Sequence, residues 1–244
     1  KVSPPLFAFS KIRFDMWSLF TVTVDLSPQE FPAIMMRVTL MNMFFQDISP
    51  SGRAQITRPG DFGSGIQCEV WDGVGCEREE VRRVSYDDFD FGNFNIGCLP
   101  NSVTYLWIYG CYQTSEINTR MWPKNMVNIT LTLNCFTGRP DLQTLPPNIQ
   151  LVNLQENCLT GPIDLTRLPS SLCWIRLSEN AIWQETVFYD NLPESISGIA
   201  LVRPNQNIFE TLLGNKITEV RAVHPDNQVK NKRIFYGMSD SCVN

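Results

Sequence analysis

The apolar positions in the middle of the chain come back in the same order five times. Val103, Leu106 and Ile108 return as Met126, Ile129 and Leu131, then as Ile149, Val152 and Leu154. Leu172, Ile175 and Leu177 follow, and then Ile196, Ile199 and Leu201. Ahead of each run stands Leu99-Pro100, Trp122-Pro123, Leu145-Pro146, Leu168-Pro169 or Leu192-Pro193, at steps of 23, 23, 23 and 24 residues. Self-similarity at a fixed period of this size marks a chain that stacks one short supersecondary unit on the next. Within each unit the last two apolar residues alternate with polar or aromatic ones, which predicts a brief strand with one face buried. The next key position holds Cys111, Asn134, Asn157 and Asn180. An asparagine amide both donates and accepts, so it can satisfy buried backbone groups where the chain turns inward. In the fifth unit this position falls in Arg203-Pro204-Asn205, and Leu213-Gly214-Asn215-Lys216-Ile217 keeps a trace of the pattern that closes the array.

Upstream the period changes. Ser27-Pro28-Gln29-Glu30 reads as a helix start, and Phe31, Ile34, Met35, Val38, Met41 and Phe45 recur at helical spacing. The expectation is an amphipathic helix over 28–46 whose apolar stripe covers the open end of the coil. The chain then divides into an N-terminal extension (1–26), an N-terminal cap (27–97), a solenoid of about five units (98–217) and a C-terminal tail or cap (218–244).

Composition narrows the function. With 43% hydrophobic and 18% charged residues the chain has the material for a core, and its net charge of −5 supplies no broad basic face for nucleic acid. No stretch is apolar enough for a membrane-spanning helix, so no transmembrane segment is expected. Catalytic and metal chemistry lack their usual parts. His224 is the single histidine, Asp87, Asp88 and Asp90 lack calcium-loop spacing, and Gly60–Gly65 has no nucleotide-binding pattern. The expectation is a protein that is not an enzyme and carries no cofactor or metal.

The strand alternation predicts what the coil shows outward. Tyr105, Trp107 and Tyr109 come first, then Asn128, Thr130 and Thr132, then Leu151, Asn153 and Gln155, then Trp174, Arg176 and Ser178. Trp, Tyr and Arg are enriched in interface hot spots, which points to a protein partner. Asn128-Ile129-Thr130 is a glycosylation sequon, but it falls on one of these strands, where a glycan would obstruct binding. Cys135 and Cys158 share one register in adjacent units, about one strand spacing apart, which admits either a bridge or two stacked free thiols. Spacing leaves Cys98, Cys111, Cys173 and Cys242 unpaired on paper.

The repeat L-P-x-x-L-x-x-L-x-L-x-x-N resembles the leucine-rich repeat, in the variety found in protists such as trypanosomatids and dinoflagellates. Leu26–Pro32, Gly65–Glu69, Gly92–Ile96 and Asn118–Arg120 are similar to segments of a large dinoflagellate family of such proteins. Cys68-Glu69-Val70-Trp71-Asp72-Gly73-Val74-Gly75-Cys76 resembles the capping element of plant-type leucine-rich-repeat domains, with one extra residue before the tryptophan. The resemblance implies an α/β solenoid, a right-handed coil with parallel strands on its concave face and an N-terminal helical and disulfide cap. It also implies a Cys68–Cys76 disulfide, with Asp72-Gly73 as the turn that brings the two together. The function expected is a non-catalytic protein-binding or scaffolding module. A second expectation is an accessory subunit of a large protein complex, for instance in a photosynthetic membrane of a dinoflagellate-type alga. There residues 1–25, with Phe7, Phe9, Phe14, Trp17 and Phe20, would suit an anchor. A third is a secreted or surface recognition protein. The cysteines point to an oxidising compartment, an organelle lumen or the exterior, with a plastid membrane complex as the alternative.

Overall fold

The computed structural model describes residues 13–16, 20–23, 31–58, 70–203 and 214–244. Strands β1 (Arg13–Met16) and β2 (Phe20–Thr23) form an antiparallel hairpin. Helix α1 (Phe31–Phe44), strand β3 (Asp47–Ile48) and helix α2 (Pro50–Ile56) follow. The predicted helix start at residues 27–30 and its Ser27 cap lie outside the described residues. Helix α2 has its own local signal in Ser49-Pro50: the Ser49 hydroxyl accepts from Gly52 N at 3.2 Å, and proline opens the first turn.

Strands β4 (Val74–Glu77) and β5 (Glu80–Asp87) pair antiparallel, and the short β6 (Gly92–Asn93) pairs with β3. The repeats contribute β7 (Tyr105–Tyr109), β8 (Asn128–Thr130), β9 (Leu151–Asn153) and β10 (Trp174–Arg176). Next come β11 (Thr186–Tyr189), β12 (Gly198–Ala200), β13 (Glu219–Ala222) and β14 (Phe235–Tyr236). Eight strands make one sheet in the order β14-β12-β10-β9-β8-β7-β5-β4, parallel from β5 to β14. On another side of the coil β11 pairs in parallel with β13.

The register explains the repeat. Leu106, Ile129, Val152, Ile175 and Ile199 are direct neighbours across the sheet, and each is at most 1% exposed. Stacking equivalent residues buries a continuous column that no single unit could bury alone. The asparagines work as rungs. Asn134 Oδ1 accepts from Cys111 N and Gln113 N, both at 3.1 Å, while its Nδ2 donates to the carbonyls of Ile108, Leu131 and Thr132. Asn180 repeats this with Leu159 N and the carbonyls of Leu154, Leu177 and Ser178. The residue before each rung is left-handed: Gly110, Leu133, Glu156 and Glu179 have φ of 62°, 57°, 56° and 59°. The fold is a leucine-rich-repeat solenoid.

Two features differ from the sequence expectation. The fifth rung is Asn215, whose Oδ1 accepts from Ile182 N at 3.0 Å and whose Nδ2 donates to Leu177 O and Leu201 O. Its step from Asn180 is 35 residues rather than 23, so an insertion displaced it from the expected Arg203–Asn205. The sheet also runs past both expected ends of the array. Val81, Val84 and Tyr86 of β5 are buried like repeat residues, and β14 pairs with β12 from within the stretch read as a tail or cap.

At the β5 end the core is aromatic. Phe94 stacks on Tyr86 at 4.6 Å and on Phe44 at 5.1 Å between ring centroids, and Phe45 meets Trp71 at 6.0 Å. Met41 and Phe44 of α1 and Phe45 just after it are fully buried there, and the Tyr86 hydroxyl donates to Asp72 O at 2.7 Å.

Candidate functional site

The outward face of the eight-stranded sheet forms two complete rows. The first runs Arg83, Tyr105, Asn128, Leu151, Trp174 and Gly198. The second runs Ser85, Trp107, Thr130, Asn153, Arg176, Ala200 and Tyr236. Strand β5 therefore adds Arg83, Ser85 and Asp87 to the surface. No Leu-Pro precedes that unit to mark it in the sequence, although Val81, Val84 and Tyr86 carry the repeat's own spacing of three and two.

The face has two aromatic ends and a low polar middle. At one end the Arg83 guanidinium lies 4.1 Å from the Tyr105 ring centroid, and Trp107 Nε1 donates to Asp87 Oδ1 at 2.6 Å. Trp107 and Tyr109 stack loosely at 6.1 Å. At the other end Trp174 packs against Tyr236 at 5.1 Å, with the Arg176 guanidinium 5.2 Å from its ring. The Trp174 ring lies over Gly198, where an added Cβ would come within 2.2 Å of it. Gly198 is thus required for space, not for backbone conformation.

Between these ends the side chains are small or amide-bearing apart from the half-buried Leu151. Tyr105, Trp107, Tyr109, Asn128, Asn153, Gln155, Trp174 and Arg176 are half-buried, so they remain accessible to a partner. Thr130, Thr132 and Ser178 are buried instead, at 5%, 8% and 5% exposure. Their side chains are short and sit low between bulkier neighbours, so they form the floor of the face and offer little to touch. The strand ends carry an acidic rim. Gln155 Nε2 donates to Glu179 Oε1 at 3.1 Å, and Glu179 pairs with Arg203 at 3.7 Å.

Cys135 and Cys158 are free thiols. The expectation of a one-strand separation fails because backbone pairing shifts after the rung. Glu116 bridges Thr137, and Cys158 N bonds to Phe136 O, so Cys158 sits beside Thr137. Two residues along the strand add roughly 7 Å, which takes the Cα atoms out of disulfide range. Cys98, Cys111, Cys173 and Cys242 are free as well. Burial pushes the Cys111 thiol up to about 11; it donates to Tyr109 O at 3.2 Å and takes the place of a rung. Cys76 is disulfide-bonded, whereas its expected partner Cys68 lies outside the described residues. Phe7, Phe9 and Trp17 also lie outside them, and Phe14 and Phe20 fall in β1 and β2. His224 is exposed and precedes a turn at Pro225–Asn227.

A second concavity of about 330 Å³ opens beside β6, lined in part by Asp47, Asn95, Glu116, Met121 and Trp122. Among the described residues no cluster of three or more His, Cys, Asp or Glu is placed to hold a metal, and no helix is long and apolar enough to cross a membrane.

No family model and no curated protein matches the chain by sequence. Among solved structures it is similar to the crystal structure of a pollen receptor kinase 3, at 14% identity and a TM-score of 0.46, over 82% of this chain and 95% of that one. A likeness this distant says nothing of activity or partner.

Proposed function

We propose that the chain is a non-catalytic protein-binding module that works through the outward face of its eight-stranded sheet. The observation that carries this is the placement of Trp174, Arg176 and Tyr236 together, half-buried or exposed, at one end of the face, beside a middle made mostly of amides and small residues. Such rings keep an apolar surface in water until a partner covers it, and they are typical anchors of interfaces. Helix α1 and its aromatic packing act as the cap of the coil. The disulfide at Cys76 supports an oxidising compartment, such as an organelle lumen or the exterior. The test is capture of partners from native extract by the chain as bait. Trp174→Ala with Arg176→Ala should lower capture by about fivefold or more while circular dichroism stays unchanged. Unchanged capture would move the binding face elsewhere.

A second reading is an accessory subunit held permanently in a large assembly, in line with the resemblance to dinoflagellate proteins. It is favoured by apolar residues exposed outside the sheet: Met36 at 60% and Met43 at 41% on α1, and Trp183 at 70%. Retention in one stoichiometric complex through mild-detergent purification supports this reading, and salt-reversible binding supports the free module.

A further inference from the structure

Two guanidinium groups on the outward face have no carboxylate. Among the described residues, ion pairs occupy Arg58, Arg82, Arg120, Arg203 and Arg221, whereas Arg83 and Arg176 are in none. Each instead lies against an aromatic ring of the same face, Tyr105 and Trp174 respectively. A ring under a guanidinium holds its plane in place and leaves its N–H groups directed outward, which suits two-point recognition of a carboxylate. On a protein of net charge −5, cations left open in this way are a local reversal of sign.

Their separation follows from the register. Arg83 is on β5 and Arg176 on β10, four steps apart through β7, β8 and β9. At about 4.8 Å per strand, with a two-residue offset along the strand, the two are roughly 20 Å apart, which an extended peptide covers in about six residues. The positions between them carry no charge: Asn128, Leu151 and Asn153 lie in the two rows, with buried Thr130 beneath. Asparagine side chains can donate to and accept from a peptide backbone crossing above them. The carboxylates of Asp87, Glu156 and Glu179 stand at or beyond the far ends of the strands. They repel an acidic ligand from that edge and so fix it over the two rows.

We propose that this face takes an extended acidic peptide segment whose two carboxylates, about six residues apart, pair with Arg83 and Arg176. The proposal rests on the reading of the sheet face as the binding surface and names the chemistry of its partner. The probe is a fluorescein-labelled synthetic peptide of Ser, Thr and Asn with two glutamates about six positions apart, followed by fluorescence anisotropy. Comparison peptides carry the glutamates about three positions apart, or glutamine or lysine at the original two sites. The first peptide should bind about fivefold or more tightly than each comparison peptide, and added salt should weaken it. Arg83→Gln and Arg176→Gln should each remove most of that advantage without shifting the thermal midpoint. Equal binding of the glutamine peptide, or no effect of either arginine variant, overturns the proposal. If every peptide fails while Trp174→Ala with Arg176→Ala still abolishes partner capture, the acidic-peptide proposal is wrong and the binding surface stands. If capture is also unaffected, both are wrong.

Discussion

The two kinds of interior in this coil are held by different forces. From β7 onward the units repeat in aliphatic columns, with one amide rung per turn from β8 on. Around β5 and α1 only Val81, Val84 and Tyr86 keep the repeat's spacing, and seven rings, those of Phe44, Phe45, Trp71, Tyr86, Phe89, Phe91 and Phe94, fill the space. The repeated part distributes its stability over many equivalent sites, each coupled to its neighbours. The aromatic part concentrates stability in a few large side chains, each of which buries more area than an aliphatic one.

The sharpest break between the two regions comes from Phe94→Ala, which removes the ring shared by Phe44 and Tyr86. Urea unfolding should show a loss of about 3–5 kcal/mol, the range for deleting a buried aromatic. If it shows less than about 1 kcal/mol, the aromatic end is not a cooperative part of the coil. Next in size is Asn180→Ala, at 3% exposure, which strands the N–H of Leu159 and removes one of the two amide donors to the carbonyl of Leu154. The expected cost is about 2–3 kcal/mol. Asn157→Ala should cost about half of that, because Asn157 is only half-buried and water can replace some of its bonds. Equal costs at the two rungs would contradict a burial-controlled ladder.

A smaller effect of opposite sign is expected at Leu133. It is 43% exposed and has φ of 57°, where a β-carbon is strained. Leu133→Gly should raise the thermal midpoint, by the equivalent of about 0.5–1 kcal/mol. The last effect appears only in alkali and lies at Cys111, at the seam between the two regions. Its folded pKa is raised to about 11 from an ordinary value of 9.0, so the neutral thiol is favoured in the folded state. The stability from this shift is fully present below pH 9 and is lost as pH rises toward 11. Cys111→Ala should flatten the stability profile over that alkaline window, and an unchanged slope would show that the thiol does not contribute.

The regular region was legible in sequence because a stacked coil prints its register as a period. Leu106, Ile129, Val152 and Ile175 were identified as one column, and the structure makes them sheet neighbours. The aromatic end was only partly legible. The spacing of Met41 and Phe45 gave the helix, but nothing in one sequence tells which rings meet. Gln113 was missed altogether. It is fully buried, accepts from Phe94 N at 2.7 Å and donates to Gly92 O, so it joins the two regions. A lone glutamine after a tyrosine carries no local signal of such a role. The outward rows followed from alternation, whereas the sinking of Thr130, Thr132 and Ser178 depended on the size of their neighbours. Pairing of Arg83 with Tyr105 needed the register of β5, which lacks the Leu-Pro marker.

Asn215 completes the ladder after a step 12 residues longer than the repeat, 35 against 23, and still makes the bonds of a rung. The coil therefore keeps count of rungs and tolerates variable lengths of chain between them. A stretch of foreign chain placed between two rungs should therefore be accepted as long as the next asparagine regains these bonds, which would turn the protein into a carrier.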